Sequence, residues 1–421
     1  MSKKKKVLVI TTLILVVAVL AVTLFEKKPS KIDDFATYAA DIGDITIPDN
    51  VKVVALGEAT HGNIEFQELK LTVFKQLVET TDIRAFALEG DFGGCALIND
   101  YIQGGDGDIN EITRLLGYRI YRTESMKELI EWMRDYNENT TEEDRVRIYG
   151  IDIQYDTRCL KLLSNFYATV DSTKAAQFDA ESKEIFGEED DLYNPNDYDQ
   201  IISWLDGWGK DIESNNEAYT ELTSEYDVSY ASRAITNLKY YLDYREKENY
   251  GSKYRDNCMF ENVNWILNEE GQFGRSCIML SGHNGHLTKN LSTRNTYLGN
   301  QLYEELGEAY FAIGTDYYYT NCNLPKNGER INAKFCSNDP LAYQLHYLGK
   351  NTAYLDFAKA RESQELSKLI SERMSTGTLG EQYSLIMEVM PNTTHIYCAP
   401  EDMFDAMIFV YEANPIVVWD K

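Results

Sequence analysis

Short apolar runs that stop at carboxylates or histidines, alternating with stretches of helical period, decide what this chain can fold into. Residues 51–56 run into Gly57-Glu58-Ala59-Thr60-His61-Gly62, residues 84–88 into Glu89-Gly90-Asp91, and residues 145–151 into Asp152. Residues 276–280 lead to Ser281-Gly282-His283-Asn284-Gly285-His286, and residues 310–314 end just before Asp316. Between these runs the apolar spacing is helical: Phe66, Leu69, Val73, Phe74 and Leu77; Met126, Leu129, Ile130 and Met133; Met259, Phe260, Val263, Ile266 and Leu267. The alternation predicts an α/β fold, a mostly parallel central sheet with helices on both faces, and a site beyond the carboxyl ends of its strands. Later apolar runs at 353–357 and 406–410 add strands, and residues 317–340 read as a loop or hairpin.

The long acidic, tyrosine-rich interval of about 157–250 reads as an inserted helical subdomain, a candidate cap over the site, broken at 188–191 and 194–196. Four lysines at 3–6 form a basic tail, and the 19 residues 7–25 are apolar except for threonines, long enough to cross a bilayer as an anchor or signal segment. The expected organisation is then a stalk at 26–45 and a folded body at 46–421, held outside the cell by the membrane segment, or secreted if it is cleaved. A net charge of −27 repels phosphate backbones, so no nucleic-acid partner is expected. The seven cysteines contain no C-x-x-C pair, which removes zinc-finger and thioredoxin readings. Cys322 and Cys336 flank a loop that a disulfide could close, but small buried apolar roles suit most of the seven, Cys95 included.

The chemistry lies in what converges at the strand ends. Three of the five histidines, His61, His283 and His286, share those positions with Glu58, Glu89, Asp91, Asp152 and Asp316, whereas His346 and His395 fall elsewhere and read as structural or exposed. No G-x-S-x-G elbow is present, which disfavours a serine hydrolase. Two chemistries stay open. Without any cofactor, an imidazole can take a proton from water while carboxylates fix its tautomer; alternatively Glu58, His61, Glu89, His283 and His286 can hold a divalent metal such as zinc or manganese. A non-catalytic surface binding protein is the third reading.

The combination Gly57-Glu58-Ala59-Thr60-His61-Gly62 with Glu65-Phe66, Ala87-Leu88-Glu89-Gly90, Phe92-Gly93-Gly94, Asn99-Asp100-Tyr101 and Trp132-Met133-Arg134 resembles the erythromycin esterase family. So do Tyr149-Gly150-Ile151-Asp152, Arg255-Asp256, Met259, Asn262, Gly282-His283-Asn284-Gly285-His286 and Phe404-Asp405-Ala406, so that the likeness runs from residue 51 to 412. The resemblance implies a hydrolase acting on a small-molecule ester, and in its characterised members a water-mediated opening of a macrolide lactone. It implies His61 as general base, Glu58 and Glu89 orienting the base or the water, His283 and His286 lining the site, and Arg255 facing a developing oxyanion or bridging to Asp152 or Asp256. Macrolide-inactivating members carry arginine where this chain has Ile64, a departure that weakens the macrolide expectation while leaving the hydrolytic scaffold.

Overall fold

Strands covered on both faces read as continuous apolar runs, and the central strands of this protein do so because helices pack on each side of them. The computed structural model describes residues 28–155, 157–186, 198–246, 251–290, 296–390 and 393–419. Its strands are β1 (Ala39–Ala40), β2 (Val53–Glu58), β3 (Ala85–Asp91), β4 (Arg147–Asp152), β5 (Ile278–His283), β6 (Tyr310–Lys326), β7 (Glu329–Cys336), β8 (Thr352–Asp356), β9 (Met374–Gly377), β10 (His395–Cys398) and β11 (Ala406–Ala413). The main sheet runs β1-β8-β11-β6-β2-β5-β3-β4, with β7 paired to β6; β9 and β10 form a separate two-stranded sheet. From β11 through β4 every pairing is parallel, and β8, β1 and β7 are antiparallel additions at the margin. The fold is the mostly parallel α/β sheet that the alternation predicts.

Two hydrophobic cores divide at the sheet because side chains alternate across it. Val54, Leu56, Phe86 and Leu88 face one, with the helices Ile64–Thr80 and Glu124–Glu138; Val53, Ala55, Ala85 and Ala87 face the other. The helices Thr157–Val170, Ser172–Phe186, Tyr198–Ser214 and Glu225–Glu246 join this second core through Leu163, Phe178, Leu205, Trp208 and Leu238. The long helical interval therefore covers a sheet face as well as packing on itself. Its acidic break at 188–196 lies outside the described residues.

The other expectations meet the structure in different ways. The stretch expected as a stalk is packed from Ile32 onward: Ile32 and Phe35 are buried, and Ala39 pairs with Leu355. Cys322 and Cys336 do not form the disulfide that the loop would have allowed, as the reading of most cysteines as small apolar residues expects, because the hairpin register sets Cys322 opposite Ala333 and Cys336 opposite Tyr319. The stripe Met126, Leu129, Ile130 and Met133 lies on the helix Glu124–Glu138, capped by Thr123, and the residues before it form a short helix at Ile109–Arg114 and a 3-10 turn at Arg119–Tyr121. Residues 7–25 lie outside the described residues, among which no helix is long and apolar enough to cross a membrane.

Two glycines set how closely the central strands meet their neighbours. A Cβ on Gly57 would stand 2.1 Å from Asn284 Oδ1, and Asn284 ties β5 to β6 by donating to the Thr315 carbonyl and accepting from the Thr315 amide. A Cβ on Gly282 would meet Glu89 Oε2 at 2.9 Å. Gly57→Ala is therefore expected to lower stability by about 1–3 kcal/mol in urea unfolding, the usual range for overpacking, while an exposed control, Gly207→Ala, changes little.

Candidate active site

β2, β5 and β3 lie side by side, so Glu58, His283 and Glu89 reach one edge of the sheet from adjacent strands. The pairing of β3 with β4 shifts register between Leu88 and Asp91, an irregularity of the kind that re-aims side chains at strand ends. Glu89 is turned inward there. Its Oε2 accepts from the His283 amide at 2.8 Å and its Oε1 from Arg255 Nη2 at 2.6 Å.

Glu58 is almost fully buried and holds two partners. Its Oε1 accepts from His61 Nδ1 at 2.7 Å, and its Oε2 receives Lys70 Nζ at 2.5 Å. Burial alone would raise this carboxyl, but Lys70 and then His61 hold it down at about 2. With Nδ1–H given to Glu58, Nε2 of His61 is left as the basic atom and has no hydrogen bond among the described residues. Burial works to lower the His61 pKa, but the charge and hydrogen bond of Glu58, and then Glu89, raise it above its ordinary value.

His283 differs. Its Nδ1 accepts from the Gly285 amide at 3.1 Å, which fixes the proton on Nε2, and that atom is buried without a protein partner. Burial and the neighbouring His61 hold its pKa down at about 3, so it stays neutral, and its ring lies 4.9 Å from that of His61. His286 gives Nδ1–H to Asp256 at 2.7 Å and accepts from Arg255 Nη1 on Nε2 at 3.1 Å; against the effect of burial, Glu89 and then Asp256 raise its pKa.

Arg255 is the tie among these groups. It grips Asp152 in a bidentate pair at 2.8 and 2.6 Å and reaches Glu89 and His286 as well. Asp256 serves His286 and the Leu298 amide, so the Arg255 bridge goes to Asp152. Tyr118 closes the far side of Asp152 by donating to Oδ2.

All six expected residues, Glu58, His61, Glu89, Arg255, His283 and His286, are thus brought together. Two aspartates expected at strand ends are not, and Asp316 lies within β6 rather than at its end. Asp91 caps the helix Phe92–Ile102 and pairs with Arg158, and Asp316 turns to the other side of β6. Cys95 is buried and its thiol pKa is pushed well up, an inert core residue. His346 stacks on Tyr343, and His395 contacts the Cys336 carbonyl. Sequence reasoning missed Lys70, and it named Asp256 only as a partner for Arg255, not for His286. Lys70 sits on the apolar stripe of its helix between Phe66 and Val73, and a lysine there is a signal in itself, since lysine is almost never fully buried unless paired. As a metal centre the donor set fits poorly: Glu58 is already engaged by Lys70 and Glu89 by Arg255, and among the described residues no cluster of three or more acidic, cysteine or histidine side chains has the arrangement of a metal site.

The family model for erythromycin esterase matches residues 78–413. The chain belongs to the erythromycin esterase family. An Escherichia coli protein, erythromycin esterase type II, is 32% identical over 143 residues, 33% of this chain and 32% of that protein, so the match spans about a third of that relative's length. A putative hydrolase of Bacillus subtilis, YbfO, is 21% identical over 405 residues, covering 87% of this chain and 85% of its own length. The solved structure of an erythromycin esterase mutant, EreC, in its open conformation overlays with a TM-score of 0.60 at 16% identity, covering 89% of this chain and 93% of that one. That likeness bears on the fold alone.

The Lys70–Glu58–His61 line makes a prediction for this family member. Lys70→Met is expected to lower stability by about 3–5 kcal/mol, as for other buried pairs broken on one side, and to raise the His61 pKa, because a nearby cation is removed. Urea unfolding and an imidazole NMR titration check both. The Glu58 contribution is present above pH 4.5 and is lost as pH falls toward 2, so acid unfolding of the variant should begin at higher pH.

Proposed function

We propose that this protein hydrolyses a carboxylic ester of a small molecule with a water molecule activated by His61, without a metal. The observation that carries the reading is the His61 ring, tethered by Nδ1–H to Glu58 at 2.7 Å, with Nε2 left free beside the neutral His283. Water bound at Nε2 gives up a proton as its oxygen attacks the ester carbonyl, and Glu58 stabilises the imidazolium that forms. The tetrahedral oxyanion needs a donor that carries its proton at working pH. His283 Nε2–H is such a donor, fixed in its tautomer by Gly285 and lacking any other partner. The His61 imidazolium then returns that proton from Nε2 to the leaving alkoxide, which restores the base, while Arg255 with Glu89 and Asp256 hold His286 beside it in the wall of the site.

A macrolide lactone is one candidate substrate. Ile64 packs against the core where the macrolide-inactivating relatives are expected to carry arginine, so a fixed cation is missing there and an ester other than a macrolide is favoured. A metal-dependent route through Glu58, His61, Glu89, His283 and His286 gains no support from carboxylates already paired with Lys70 and Arg255.

The test is hydrolysis of a panel of simple esters and a 14-membered macrolide. His61→Ala is expected to lower kcat/KM by about 10²- to 10⁴-fold, the usual worth of a positioned base; equal turnover by both proteins would sink the assignment. Since the basic form of His61 is needed and its pKa is raised, kcat/KM should climb with pH through a value above 6.5. Chelator treatment should leave the rate unchanged, and stoichiometric zinc or manganese in untreated protein would overturn the metal-free reading. Tight ligand binding with no product would instead indicate a binding protein.

A further inference from the structure

Two carboxyls stand outside this machinery. Asp316 on β6 and Asp339, just past β7, are both completely buried. Each uses one oxygen fully: Asp316 Oδ1 accepts from the amides of Tyr317 at 2.7 Å and Gly377 at 3.0 Å, and Asp339 Oδ1 from those of Leu341 at 2.6 Å and Ala342 at 3.3 Å. The two side chains are within hydrogen-bond reach of one another, and both Oδ2 atoms are buried with no donor to accept from. No lysine, arginine or histidine bonds to either carboxyl among the described residues. The titratable neighbours are the Tyr317 phenol, the Cys336 thiol and His395, which pairs across β10 with Gly377 and contacts the Cys336 carbonyl.

Two adjacent dehydrated carboxylates without a cation cannot both be ionised. We propose that Asp316 and Asp339 share one proton, and that this proton, by keeping Asp316 seated on the Gly377 amide, holds β9 on β6 and thereby positions the Thr60–His61 turn. The mechanical link is short. Asp316 holds the Gly377 amide so closely that a Cβ there would stand 2.7 Å from its oxygen. Two residues on, the Leu379 amide donates to the Ala59 carbonyl at 2.8 Å, and Leu379 bridges to Thr60. On the other side of the same turn, Thr315, the residue before Asp316, accepts from the Ala59 amide at 2.8 Å. By removing the repulsion between the two carboxyls, the proton keeps Asp316 where its Oδ1 joins β9 to β6, the two supports between which the turn is held. Burial lifts both carboxyls, Asp339 to about 6 and Asp316 well above the aspartate range. For groups raised in this way the stabilisation is complete below the unfolded value and is lost as pH rises through the folded one.

Asp316→Asn separates this from a purely structural role. Asparagine keeps the oxygen that accepts from Gly377 and Tyr317 and places an N–H where the shared proton lies, so it imitates the protonated pair permanently. In urea titrations of the full chain, the wild-type unfolding constant should rise about tenfold more per pH unit than that of the variant between pH 5 and 7, the signature of one retained proton. Asp339→Asn should give the same flattening, which covers the case in which one variant does not fold. In the wild type an infrared carbonyl band of a protonated carboxylic acid should persist at pH 7 and be reduced in the variant. Parallel slopes for wild type and variant, absence of that band, or a stoichiometric bound cation lost on substitution would each overturn the proposal. These readouts need no turnover, so they stand or fall apart from the role given to His61. The positioning half rests on that role: ester hydrolysis by Asp316→Asn should persist to higher pH than in the wild type, and an unshifted alkaline limb would overturn it.

Discussion

Everything at the carboxyl edge of this sheet depends on dehydrating several charges together. Four carboxylates, Glu58, Glu89, Asp152 and Asp256, are buried there against two permanent cations, Lys70 and Arg255. The deficit of positive charge falls on the imidazoles. His61 and His286 each touch a carboxylate and are raised, whereas His283, whose Nδ1 meets a backbone amide, is lowered. One cluster thereby holds two proton acceptors and one neutral donor, and the difference among three chemically identical rings comes from their second nitrogen's partner.

The parallel order of the sheet makes that clustering achievable. β5 is inserted between β2 and β3, so a strand some 220 residues later in sequence supplies the histidines that meet Glu58 and Glu89. The small residues Gly57 and Gly282 let the neighbouring side chains come in at these points, and the register shift at Glu89 turns its carboxyl toward the His283 amide. Long-range geometry and local chemistry are set by the same few positions.

Much of this was legible in the chain. Strand ends marked by Glu58, Glu89, Asp152 and His283 are apparent because buried strands must be apolar and their polar successors stand out. What a period-two pattern cannot say is toward which side a strand-end residue turns. Thr315 meets the His61 turn and the adjacent Asp316 is directed away, although the acid looks like the more chemical of the two. Lys70 was passed over for a different reason, since an apolar stripe is read from its apolar members and a charge that shares their helical phase goes uncounted. β9 and β10 escaped because each has four residues, too few to show a period, and their importance lies in what they hold.

The turn that carries His61 is bound by residues from remote parts of the chain. Ala59 is held by Thr315 and Leu379, Asn63 by the Asn414 carbonyl, and Gly62 by the amides of Asn323 and Ile416. On a ribosome the Glu58–His61 pair is complete hundreds of residues before its restraints exist. A nascent or prematurely ended chain therefore contains the reactive ring without the frame that aims it, and a competent site forms only when the last strand has docked. Folding of the carboxyl-terminal segment is in that sense the final step of assembling the site.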